Sequence, residues 1–123
     1  MESASQPVIA ATLFDSQKQP SLGGTRGAGD ARHLVLRAEG FDIHVKAWGI
    51  APTRQMTGQI LSRGAALPVA DARLHLMRDG ERLAITSADK FGGFTFYNVP
   101  EGQLSLQIDM PNLTVVGALN LDN

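Results

Sequence analysis

The chain predicts an all-β fold, a Greek-key β-sandwich of about seven to eight antiparallel strands preceded by an N-terminal arm. Three observations carry this expectation. Short stretches alternate apolar and polar residues with period two, as in Phe41, Ile43, Val45 and Ala47 against Asp42, His44 and Lys46. Turn formers recur at short intervals, with 13 Gly and 6 Pro in 123 residues. No segment carries a convincing helical period.

The arm and a Gly-rich loop occupy residues 1–31, and the sandwich occupies 32–123. Within the arm, Val8 to Phe14 reads as one ordered apolar piece, and Gly23, Gly24, Gly27 and Gly29 mark a flexible loop behind it. Strands are then expected over Arg32 to Ala38, around Phe41 to Ala47, and over Gln55 to Ser62. Ala72, Leu74 and Leu76 face inward against Arg73, His75 and Met77, and Arg82 to Ala88 continues the pattern. Phe94 and Phe96 alternate with Thr95 and Tyr97, Leu104, Leu106 and Ile108 with Ser105, Gln107 and Asp109, and Leu113 to Leu121 closes the set. The turns fit their residues: Glu39-Gly40, Asp79-Gly80, Asp89 to Gly93, and Pro100-Glu101-Gly102. Trp48 reads as a packing residue at the sandwich edge.

Composition narrows the function. Eleven basic against 12 acidic side chains leave a net charge of -1, without the Lys/Arg excess that a nucleic-acid or anionic-membrane binder needs to displace counterions. With 0 Cys, disulfide scaffolds, thiolate zinc sites, iron–sulfur clusters and thiol nucleophiles are excluded. Glu2 stands where an export signal would carry a base, and no apolar run approaches membrane-spanning length, so a cytoplasmic protein is expected.

The stretch from Met56 to Met110 resembles the carboxypeptidase regulatory-like domain, a small transthyretin-like β-sandwich. The resemblance rests on Gly58-Gln59-Ile60, Gly64 and Pro68 to Leu76, and then on Asp89-Lys90-Phe91-Gly92-Gly93-Phe94-Thr95-Phe96 running into Val99-Pro100-Glu101-Gly102. Leu67 before Pro68 and Leu104, where the family often has Tyr, depart from the pattern. The resemblance implies a transthyretin-like or Ig-like Greek-key arrangement. The physics of the second motif is plain: Asp89 caps the turn, Gly92 takes positive φ, and Phe94 and Phe96 enter the core. The N-terminal third, with Leu13-Phe14-Asp15-Ser16, Pro20 and Gly23 to Arg26, is similar to small bacterial proteins encoded beside extracytoplasmic-function sigma factors and their anti-sigma factors. That similarity implies a regulatory neighbourhood and no particular activity.

Catalytic and metal chemistry finds little support. Hydroxyisourate hydrolase shares the transthyretin-like architecture, but it ends in Tyr-Arg-Gly-Ser where this chain ends Asn120-Leu121-Asp122-Asn123. His33, His44 and His75 stand at no local ligand spacing, although His33 and His44 can approach if their strands pair across Glu39-Gly40. Gly23 to Gly29 lacks the Gly-Lys-Ser/Thr ending of a phosphate loop, and Asp89 to Gly93 has a single carboxylate, too few for calcium. The remaining acids sit in or beside turns, and no serine has a nucleophile-elbow context.

The expected function is therefore a non-catalytic protein-interaction module without cofactor or metal. Val8, Ile9, Leu13 and Phe14 of the arm are the candidate partner-binding residues, and the partner implied by resemblance is a sigma or anti-sigma factor. Association of two copies through the arm is the related case, and docking of the arm on its own sandwich as an extra edge strand is the alternative. A different reading is a carbohydrate- or peptidoglycan-binding sandwich using Trp48 and Tyr97.

Overall fold

Each alternating run becomes a strand in the computed structural model, which describes residues 8–15, 32–49, 53–63, 71–110 and 113–121. In chain order the strands are β1 (Val8–Ile9), β2 (Ala11–Asp15), β3 (Arg32–Ala38), β4 (Phe41–Trp48) and β5 (Arg54–Ser62). They continue with β6 (Arg73–Arg78), β7 (Glu81–Ser87), β8 (Gly93–Val99), β9 (Gly102–Met110) and β10 (Leu113–Leu121). No helix occurs among the described residues. The expected Gly-rich loop lies outside them.

The strands form two five-stranded sheets, ordered β1-β10-β9-β6-β7 and β2-β3-β4-β5-β8. Their inner faces share one apolar core in which Leu36, Ile43, Val45, Met56 and Ile60 of one sheet join Leu74, Leu76, Leu106, Ile108 and Leu119 of the other. The same period-two pattern that sends these residues inward leaves His33, Arg37, His44 and Lys46 outside. The result is an all-β sandwich.

Turn chemistry fixes the register. Ala38 pairs with Phe41 across Glu39-Gly40, and Arg78 pairs with Glu81 across Asp79-Gly80. Asp79 and Gly80 both take positive φ, 53° and 80°, the requirement of a type I′ hairpin whose twist matches its strands. In the next turn the Asp89 carboxylate accepts the N–H groups of Phe91 and Gly93, each at 2.8 Å, and Gly92 has φ 83°. Those two backbone donors hold the Asp89 carboxyl below its ordinary value.

Two expectations need correction. The arm segment Val8 to Phe14 is not one strand: it breaks at buried Ala10 into β1 on one sheet and β2 on the other. The sandwich segment supplies eight strands, β3 to β10, within the expected number; the arm adds two more among the described residues, and β1 runs parallel to β10 where only antiparallel strands were expected. The cause is local. Ala10 N–H donates to the Val116 carbonyl at 2.8 Å, and Gly117 has no side chain where Ala10 and Leu36 meet β10. A short apolar run followed by a small residue can therefore cross from one sheet to the other.

Candidate functional site

The described part of the arm, residues 8–15, runs along one edge of the sandwich and is held at three points. Val8 opposes Val115 and packs against the core. Ala10 makes the crossing, and Asp15 closes the far end by a two-toothed pair with Arg32, Nε to Oδ1 at 3.0 Å and Nη2 to Oδ2 at 2.9 Å. Asp15 is buried, and its partner is nearly so, which makes this contact far more consequential than a surface ion pair.

The side chains between these anchors point outward. Ile9 is 73% exposed, Leu13 47% and Phe14 36%. Leu13 falls at the bulge between Thr12 and Phe14, where β2 slips against β3, and the extra residue of a bulge is turned away from regular pairing. Of the four arm residues expected at an interface, Val8 is committed to the core and three remain available. Beyond Val116 the edge of β10 has no strand beside it among the described residues, because β1 covers only Val115 and Val116. A hollow of about 480 Å³ opens next to this edge, with Thr12, Asp15, Leu104, Ala118 and Leu119 on its walls.

Trp48 and Tyr97 occupy the outer face of the β2-β3-β4-β5-β8 sheet. Trp48 is half-buried opposite Gln55, and Tyr97 on β8 is 65% exposed. One strand, β5, lies between their strands, so their backbones stand about 10 Å apart, two interstrand spacings.

The histidines divide between the two faces. β3 and β4 pair as the hairpin foreseen for His33 and His44: His33 opposes Lys46 and His44 opposes Val35, so the imidazoles are diagonal neighbours on one face. No group of three potential ligands that could hold a metal ion occurs among the described residues. His75 lies on the opposite sheet with Nε2 3.0 Å from Asp109 Oδ2. Gln107 Nε2 and the Thr114 hydroxyl donate to the other oxygen at 3.1 and 3.4 Å. Burial pushes the Asp109 carboxyl up, but these donors and the His75 charge outweigh it and leave the group below its ordinary value. Asp42 is likewise held low, first by the hydrogen bonds of Arg37 at 2.8 and 3.1 Å and further by the charge of Arg63.

Sequence reasoning missed the polar ties. Arg54 is buried, and its Nη1 donates to the Leu121 carbonyl at 2.7 Å, linking β5 of one sheet to β10 of the other. An arginine at the start of a strand gives no signal of burial, because its acceptor is 67 residues away. Asp15 and Arg32 are similarly separated by 17 positions that include the whole Gly-rich loop. Comparison with protein-family models, with curated proteins and with solved structures found no match.

Proposed function

We propose that this chain is a non-catalytic protein-interaction module whose contact surface is the arm edge carrying Ile9, Leu13 and Phe14. The carrying observation is their exposure on a segment whose backbone is anchored to both sheets. Large apolar side chains displayed on an ordered backbone lose little further conformational freedom on association, so most of the apolar burial is retained as affinity. The neighbouring edge of β10 beyond Val116, with no strand beside it among the described residues, is open to an added strand.

The resemblance of the motif from Asp89 to Gly102 to carboxypeptidase regulatory-like, transthyretin-like domains supports a binding role in preference to catalysis. The similarity of the Leu13 to Ser16 region supports a sigma or anti-sigma factor as partner. The test is affinity capture from the native host's lysate with the tagged protein and its Ile9→Ser/Leu13→Ser variant. Both substitutions alter exposed side chains and spare the anchors at Ala10 and Asp15. The expected result is a sigma or anti-sigma factor retained by the parent and lost by the variant; equal retention by both removes the arm as the contact.

A second reading is kept because one observation favours it: Trp48 and Tyr97 share an outer face with Gln55 between them, an arrangement suited to stacking on a sugar. Quenching of Trp48 emission by peptidoglycan fragments would support it, and unresponsive emission would remove it.

A further inference from the structure

The outer face of the β2-β3-β4-β5-β8 sheet contains a groove of about 300 Å³ with Phe14, Val35, His44, Lys46, Thr57 and Gln59 on its walls. Strand register builds it in two rows. Lys46 lies between His33 and Thr57, and in the next row His44 lies between Val35 and Gln59, with Phe14 beyond Val35. The ring of Phe14 and the branched side chain of Val35 give one apolar end.

At the other end stand basic side chains. His44 and Lys46 are exposed, and no acidic side chain is among the described residues lining the groove. The nearest described acid on this face, Asp42, is already clamped by Arg37 and lies 3.5 Å from Arg63 Nε. The Thr57 hydroxyl is committed to the Phe94 carbonyl at 2.9 Å, and Gln59 Nε2 to the Phe91 carbonyl at 3.1 Å. Lys46, with its ammonium, and His44, with its imidazole, are thus the basic side chains placed to meet a ligand.

We propose that this groove binds a small organic carboxylate with an apolar body, its carboxylate at Lys46 and His44 and its body against Phe14 and Val35. The volume lies at the lower end of the roughly 300–1,000 Å³ typical of small-molecule sites. An extended acidic peptide fits less well. The groove is centred on β3, β4 and β5, whose backbone groups are already paired on both sides, so a peptide could add no strand there. Phe14 belongs to both the arm surface and the groove, whereas Ile9 and Leu13 do not line the groove, so the Ile9→Ser/Leu13→Ser variant separates the two sites.

The test is an amide NMR titration of the full chain with sodium benzoate, repeated with benzyl alcohol, and with Lys46→Gln and His44→Gln proteins. Both substitutions are at exposed positions, and unchanged spectra without probe establish that the variants are folded. The expected result is saturable shifts at Val35, His44, Lys46 and Thr57 with benzoate. Lys46→Gln should weaken binding by about tenfold, the loss of one hydrogen bond to a charged group. Absence of saturation, equal affinity for benzyl alcohol, or no effect of either substitution would overturn the proposal. So would tighter binding of a blocked hexaglutamate peptide at the same amides.

Discussion

The ring of Phe94 lies over Gly58, its register partner on β5. A methyl group on Gly58 would collide with Phe94 Cζ and sit 2.6 Å from the His44 carbonyl oxygen. The glycine therefore makes room for an aromatic ring in the core and for close approach of β4. Gly58→Ala should destabilise the protein by about 2 kcal/mol, within the range for overpacking a core. Adding Phe94→Leu, which withdraws the ring, should recover part of the loss. Urea unfolding of the three proteins measures both terms, and additive losses would show that the ring is not the obstacle.

Gly117 plays the corresponding part at the arm crossing. A Cβ there would stand 2.7 Å from Leu36 Cδ1 and 3.5 Å from Ala10 Cβ. Leu36 is fully buried and has little space to retreat. Gly117→Ala is expected to cost about 1–2 kcal/mol and to speed hydrogen exchange at the Ala10 amide, which bonds to Val116. Exchange at core amides of β4 and β5 should change only by the global loss of stability.

Breaking the buried Asp15–Arg32 pair removes the two charge-assisted hydrogen bonds that join these groups. Asp15→Asn or Arg32→Gln is expected to lower stability by about 3 kcal/mol. Replacing both with apolar residues, Asp15→Leu/Arg32→Met, should cost less than either single change, because neither charge remains to be buried. Thermal unfolding of the set decides the matter; a double variant as damaged as the sum of the singles would contradict it.

Asp42, Asp89 and Asp109 all have carboxyls held below their ordinary values in the folded chain. A depressed folded-state value means that the unfolded chain binds protons more readily. Stability should therefore be fully present above the ordinary carboxylate range and fall as pH drops from about 5 towards 2. Asp109→Asn should flatten part of this acid limb when melting temperature is followed against pH. A limb unchanged in that variant would show that the His75, Gln107 and Thr114 contacts do not favour the ionised carboxylate.

Much of the fold is legible because the strand period is local. Leu104, Leu106 and Ile108 alternate with Ser105, Gln107 and Asp109, and burial follows that alternation residue by residue. The Asp89 turn is legible for the same reason, since its donors lie within 4 positions. The split at Ala10 is not local. It depends on a glycine at 117 and a carbonyl at 116 that belong to the last strand. Arg54 likewise continues the inward alternation of Met56, yet a charged side chain argues against burial until the Leu121 carbonyl is found. Of the candidate interface, exposure of Ile9, Leu13 and Phe14 follows from where the arm crosses and bulges, which composition does not encode.

The most direct test of the proposed interaction surface is calorimetric titration of the purified chain with a sigma or anti-sigma factor recovered in the capture experiment. Three proteins are compared: the parent, Ile9→Ser/Leu13→Ser, and Trp48→Ala/Tyr97→Ala. The arm account predicts that affinity falls at least tenfold in the arm variant, in line with the loss of two buried apolar side chains at about 1.5–3 kcal/mol each, and is unchanged in the aromatic one. Unchanged affinity in the arm variant, with the loss confined to Trp48→Ala/Tyr97→Ala, would contradict it and move the contact to the Trp48 and Tyr97 region on the outer face of the β2-β3-β4-β5-β8 sheet.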